Sequence, residues 1–178
     1  MSVKETVTGV IVTVVIGGTT FAVSQSDIVN NFAADTGMSQ QEAEQYVESV
    51  KDEDLVPFLE LGESLIKDGQ SLLADARTID CMNYEYEWES ATLSCGAGVD
   101  QMNKLANGEI ALGNSFKTLD QSTATDADIA VAIRLTDVVN SYYDYEMVGK
   151  LYDQVTITEA KRTNSYNKSI LQAVLDGN

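Results

Sequence analysis

The chain of 178 residues has room for one ordinary domain and a short appendage, and its 28 acidic and 11 basic residues give a formal net charge of -17. The acidic residues are spread along the chain. The sequence shows no concentration of Lys and Arg of the kind that nucleic-acid binding requires. The chain contains no histidine, which excludes Ser-His-Asp triads, Cys-His dyads, histidine-based zinc sites and Glu-x-x-His di-iron bundles.

The N-terminal segment is uncharged from residue 6 to residue 23 and consists mainly of Val, Ile, Thr and Gly. As a helix it would be about 27 Å long, close to the roughly 30 Å hydrocarbon thickness of a bilayer. We therefore predict that residues 1–26 form a single membrane-anchoring helix that contacts lipid through residues 6–23. Lys4 precedes this segment and acidic residues follow it, which places the N terminus in the cytoplasm and the rest of the chain outside. The predicted anchor residues are Val7, Val10, Ile11, Val14, Val15, Ile16 and Phe21.

Two alternatives for this segment stay open. The small residues Ala22 and Ser24 fit a cleaved signal peptide, which would leave a secreted domain beginning after Ser24. The β-branched residues between Thr6 and Ile16 also fit a β-strand, which would then pair with a strand of another subunit.

Residues 27–53 are predicted to form a short helical hairpin. Gly37 is suited to end its first helix, and Ser39 with Glu42 has the capping-box spacing that begins a second helix. The sequence TGMSQQEAEQYV resembles the opening helical hairpin of HU-type DNA-binding proteins, although the basic arms of that family are missing. We interpret the segment as a common αα-hairpin.

Residues 54–178 are predicted to form an antiparallel four-helix-type bundle, so the expected fold class is all-α. Apolar residues recur three and four positions apart over 54–80 and 98–120, and two further helices are expected over 125–155 and from 158. The small residues Gly62 and Gly69 lie in the first apolar seam, where they permit a neighbouring helix to approach closely.

The cysteines, Cys81 and Cys95, flank the connection between the first two long helices. We predict that they form a disulfide in an oxidising compartment, where closing this loop contributes about 3 kcal/mol. The alternatives are two reduced core thiols and a redox-active pair.

Two aromatic clusters are candidate contact surfaces for a partner or ligand. Tyr84, Tyr86 and Trp88 alternate with glutamates inside the loop between the cysteines, so an extended chain would place the three rings on one face. Tyr142 and Tyr145 belong to a second cluster that is suited to a helix or subunit contact. In the alternative interpretation, both clusters only cover apolar surface within the bundle.

These features favour a non-enzymatic, membrane-anchored, extracytoplasmic subunit of a membrane or cell-surface assembly, with protein partners or self-assembly and without nucleic acid, cofactor or metal. One alternative is an extracytoplasmic sensor that binds a ligand through residues 84–89. Another is a surface-filament subunit, because Glu5 before an apolar segment is similar to type IV pilins. Carboxylate pairs leave a glycan hydrolase as a further alternative.

Overall fold

The computed structural model describes residues 10–50, 58–82 and 93–177, and this part of the chain is mostly helical. A two-stranded hairpin comes first and helices follow it. The elements are β1 Ile11–Ile16, β2 Thr19–Ser24, α1 Gln25–Thr36, α2 Gln40–Ser49, α3 Phe58–Thr78, α4 Cys95–Leu119, α5 Asp126–Tyr142, α6 Val148–Leu151 and α7 Gln154–Asp176.

The N-terminal segment is a β-hairpin, so the helix predicted over residues 6–23 is wrong for its described part. Strands β1 and β2 pair antiparallel, with Ile11 opposite Ser24 and Ile16 opposite Thr19. Gly17 and Gly18 form the turn with φ angles of 59° and 76°, which are the positive values that a tight two-residue hairpin loop requires. The flanking Val, Ile and Thr side chains favour the extended backbone on either side. Within residues 10–50, 58–82 and 93–177, no helix has the length and apolar character needed to cross a membrane.

The alternative of a β-strand is therefore right for residues 11–16, but the strand that pairs with it is β2 of the same chain. One face of this hairpin is buried through Val14, Ile16 and Val23. The backbone N–H of Gly17 also donates to the carbonyl oxygen of Leu119 over 2.7 Å, which ties the hairpin turn to the end of α4.

The predicted αα-hairpin is confirmed as α1 and α2. Gly37 ends α1 with a φ of 70°, and Ser39 and Glu42 form the predicted capping box. The two helices pack through Phe32, whose ring stacks on Tyr46 at a centroid distance of 4.8 Å and meets the edge of Tyr166 on α7 at 6.2 Å.

The helical bundle is confirmed, and α3 and α4 form its closest pair. The two helices are antiparallel, because Gly62 faces Gly113 whereas Gly69 faces Ala106. A Cβ atom added at Gly62 would stand 2.5 Å from the carbonyl oxygen of Gly113, so the backbones touch at this point.

The third long helix is shorter than predicted, since α5 ends at Tyr142 and not near residue 155. The N–H groups of Asp144 and Tyr145 bond to carbonyls three residues earlier, which tightens the chain into a turn. Helix α7 then begins at Gln154, where the Asp153 carboxylate caps it by accepting from the Thr156 N–H over 2.9 Å.

Candidate functional site

Cys81 and Cys95 form the predicted disulfide, with their Cα atoms 5.6 Å apart. Cys95 is buried at the first position of α4, whereas Cys81 follows the end of α3. The bond therefore fixes the connection between the two most closely packed helices.

The predicted aromatic contact residues divide into two groups. Tyr84, Tyr86 and Trp88 lie outside the described residues, so their contact role stays a prediction. Tyr142 and Tyr145 stack on each other with centroids 5.2 Å apart and an interplanar angle of 25°. Both rings are half-buried against the core, and no observation tests their predicted role in partner contact.

The predicted anchor residues separate between the two faces of the hairpin, apart from Val7, which lies outside the described residues. Val14 and Ile16 are buried, and Phe21 is half-buried against the core. On the opposite face Ile11 and Val15 each remain 59% exposed, and Val10, which precedes β1, is 60% exposed. This alternation is that of a strand with one packed and one open face.

A cleft of about 370 Å³ lies among α3, α4, the end of α5 and α7. Carboxylates line one side of it, and the tyrosines that follow α5 and α6 line another. Its remaining surface combines the apolar Leu72, Ile157 and Ala160 with Ser71 and Thr156. The carboxyl groups are those of Asp68, Asp75 and Glu109, and the tyrosines are Tyr143 and Tyr152.

Glu109 is the most unusual group of this cleft, since only 6% of its surface is exposed. Its Oε1 atom accepts a hydrogen bond from the Tyr143 hydroxyl over 2.9 Å. Burial raises the pKa of Glu109 to about 7; the Tyr143 hydrogen bond opposes that rise and the nearby Asp68 charge adds to it. Burial and the Glu109 charge likewise raise the pKa of Tyr143, so its hydroxyl keeps the proton that it donates.

Glu109 stands in the apolar face of α4, four residues after Leu105 and three before Leu112, both of which are fully buried. A glutamate at such a position is almost never buried without a partner. This spacing was the signal that could have identified the site from sequence, whereas nothing local connects Glu109 with a tyrosine 34 residues later.

Replacing Glu109 with glutamine is expected to change how stability depends on pH. The carboxyl of the folded protein has a raised pKa of about 7, so it stays protonated between about pH 4.5 and 7 while the unfolded chain ionises. The wild type therefore loses stability, relative to the variant, as pH rises through this window. Between pH 4.5 and pH 7.5, the free energy of unfolding of the wild type should fall by about 1 to 3 kcal/mol relative to that of the variant, as measured by urea unfolding. If the stability of the wild type and of the variant changed with pH in the same way, that result would contradict the burial of this carboxyl.

A second cavity, of about 490 Å³, lies between the end of α1, α5 and α7. Its three aspartates are paired with lysines of α7: Lys161 contacts Asp144 at 2.8 Å, and the adjacent Lys168 bridges Asp35 and Asp137. Arg162 also lines the cavity. We interpret the ion pairs as contacts that hold α7 to its neighbours.

In the described parts of the chain, no group of three or more Cys, Asp or Glu side chains is arranged to hold a metal ion. The cleft at Glu109 contains carboxyl groups and tyrosine hydroxyls around one buried glutamate.

Comparisons of this chain with protein-family models, with curated proteins and with solved structures give no match.

Proposed function

We propose that this protein is a non-enzymatic, extracytoplasmic structural subunit of a membrane or cell-surface assembly, and that copies of the chain associate through the β1–β2 hairpin. The observation that supports it is the open, uncharged face and edge of this hairpin in a chain with a net charge of -17. The Cys81–Cys95 disulfide favours an oxidising compartment.

The open face of the hairpin consists of alternate residues of both strands. It presents Ile11, Thr13 and Val15 from β1, and the adjacent positions of β2 add only Thr, Ala and Ser side chains. Soluble proteins commonly protect an exposed strand with Lys, Pro or other charged residues, but no such residue occurs in either strand. This surface is therefore suited to contact with protein.

The edge of β1 offers backbone hydrogen-bonding groups as well. The Gln25 N–H donates to the Val10 carbonyl oxygen over 2.8 Å, so in the alternating antiparallel pattern the backbone groups of residues 11, 13 and 15 point away from β2. Within the described residues, no backbone group pairs with them. A further strand can add here.

A second copy of the chain is the partner that best suits this edge. The acidic residues make two copies repel each other over most of their surface, whereas the hairpin carries no charge and a β-branched strand can pair with its own equivalent. Lipid is a less suitable partner, since hydrocarbon cannot bond the open backbone groups of β1.

Replacing Val15 with lysine tests this proposal. The wild-type chain, prepared without reductant, is expected to be an oligomer by light scattering and native mass spectrometry. Lysine would put a charge on the open face, so the variant is expected to be monomeric with an unchanged far-ultraviolet circular dichroism spectrum.

Val155→Lys is the matched control, because Val155 is equally apolar and 66% exposed but lies on α7. It should leave the oligomer intact. A monomeric wild type at high concentration, or a Val15→Lys variant with the same mass as the wild type, would refute association through the hairpin.

A further inference from the structure

We propose that the cleft between α3, α4 and α7 is a binding site for an aliphatic diammonium cation, of the polyamine class. Glu109 and Asp68 would receive one ammonium group, and Asp75 would receive the other. This ligand site is separate from the hairpin and does not depend on the proposed self-association.

The charges of the cleft select a cation. Asp68 and Asp75 of α3 and Glu109 of α4 contribute three carboxyl groups, and no Lys or Arg is among the described residues that line the cleft. Asp68 and Asp75 are seven residues apart on one helix face, a separation of about 10 Å along the axis. One small ion cannot bridge that separation, whereas an extended cation charged at both ends can.

One oxygen of the Glu109 carboxyl accepts no hydrogen bond within the described part of the chain. Oε1 accepts from Tyr143, whereas Oε2 accepts no hydrogen bond from any described residue and is not shut off from solvent, so the cleft reaches it. Because the side chain is only 6% exposed, its ionised form is unfavourable without a cation nearby. An ammonium group in the cleft would supply both the missing donor and the opposite charge.

Three apolar residues of the lining suit the methylene chain of such a ligand, and Ser71 and Thr156 complete the lining. Leu72 and Ile157 are buried, and Ala160 is half-buried, so these three side chains offer an apolar surface. Tyr143 and Tyr152 add aromatic rings, which attract ammonium groups and also accept hydrogen bonds at their hydroxyls. The volume of about 370 Å³ is in the usual range of small-molecule sites.

Binding is expected to depend on pH in a defined direction. Burial raises the pKa of Glu109 to about 7, so part of the population carries a neutral carboxyl near neutral pH. An ammonium group favours the ionised form, and Asp68 and Asp75 are the other titratable carboxyls facing the site. The diamine should therefore bind more tightly at pH 8 than at pH 6 and release protons when it binds.

Calorimetric titration of the full chain with 1,5-diaminopentane, 1-aminopentane and 1-pentanol tests the site. We expect saturable 1:1 binding of the diamine, weaker binding of the monoamine and none of the alcohol. Glu109→Gln should weaken diamine binding about tenfold or more, as for the loss of a charge-assisted hydrogen bond. Asp75→Asn, at an exposed position where folding is not at risk, should reduce diamine affinity to that of the monoamine.

Glu44→Gln is the control, because it removes the same charge from an exposed position on α2. It should leave diamine binding unchanged. The proposal would be overturned if diamine binding did not saturate, or if Glu44→Gln and Glu109→Gln lost diamine affinity equally. Binding of 1-pentanol as tight as that of the diamine would also overturn it.

Discussion

Replacing Gly113 with alanine is expected to lower the free energy of unfolding by about 3 kcal/mol, the upper end of the range for overpacking. The added Cβ would stand 2.5 Å from the carbonyl oxygen of Gly62 and 2.8 Å from the Cγ1 atom of Ile66. The first neighbour is backbone, so it can yield only if α3 and α4 move apart. That movement would open the core between the two helices, and alanine's higher helix propensity, about 1 kcal/mol, offsets only part of the loss.

The control for this experiment is Gly96→Ala in the same helix. Nothing lies within 4 Å of a Cβ added at Gly96, so alanine there is expected to be neutral or to stabilise the protein by up to about 1 kcal/mol. Urea unfolding of both variants gives the comparison. Equal stability of the two variants would show that α3 and α4 are not in backbone contact at Gly113.

The parts of the fold that follow from local signals could be predicted from the sequence. The capping box of Ser39 and Glu42 and the C-cap at Gly37 each need only a few neighbouring residues, and both are confirmed. Gly62 and Gly69 recur with the spacing of one helix face, which was sufficient to predict a close helix contact. The sequence did not show which residues of α4 would meet them.

The N-terminal segment shows how an apolar pattern can mislead. Average hydropathy does not distinguish a lipid-facing helix from a half-buried hairpin, because both need uncharged residues over the same length. The distinguishing signal was Gly17-Gly18 between two β-branched runs, which predicts a tight turn. Gln121 and Ala124 pack against Gly17, and the Leu119 carbonyl accepts from its N–H, contacts that only the folded chain provides.

The cleft at Glu109 could be predicted only in part. A buried glutamate in an apolar helix face is visible in the sequence, but its environment comes from α3, α4, α7 and the two turns before α7. The expected continuation of α5 to residue 155 would have placed Tyr143 and Tyr152 on one helix. The turn at Tyr142–Tyr145 instead brings both side chains to the cleft. Hydrogen bonds to α4, from the Tyr143 hydroxyl to Glu109 and from the Met147 N–H to Gln101, connect the chain here with a distant part of the sequence.

Replacing Phe32 with alanine is expected to destabilise the protein by about 3 to 5 kcal/mol, the usual loss for a fully buried phenylalanine. The side chain is completely buried and joins α1 to α2 and α7 through Tyr46 and Tyr166. Urea unfolding measures the effect. Phe32→Leu keeps most of the apolar volume and loses only the ring contacts. Its loss in free energy of unfolding should therefore be well under half that of Phe32→Ala.

The same substitution connects the core with the proposed association. Helix α1 begins at Gln25, directly after β2, and Phe32 is one of the buried residues that hold α1 in place. A Phe32→Ala variant should therefore lose oligomer mass at a lower urea concentration than the wild type, in parallel with its loss of structure. Val15→Lys should lose mass while the fold stays stable. If Phe32→Ala unfolds without any change in mass, the hairpin is not the contact between copies.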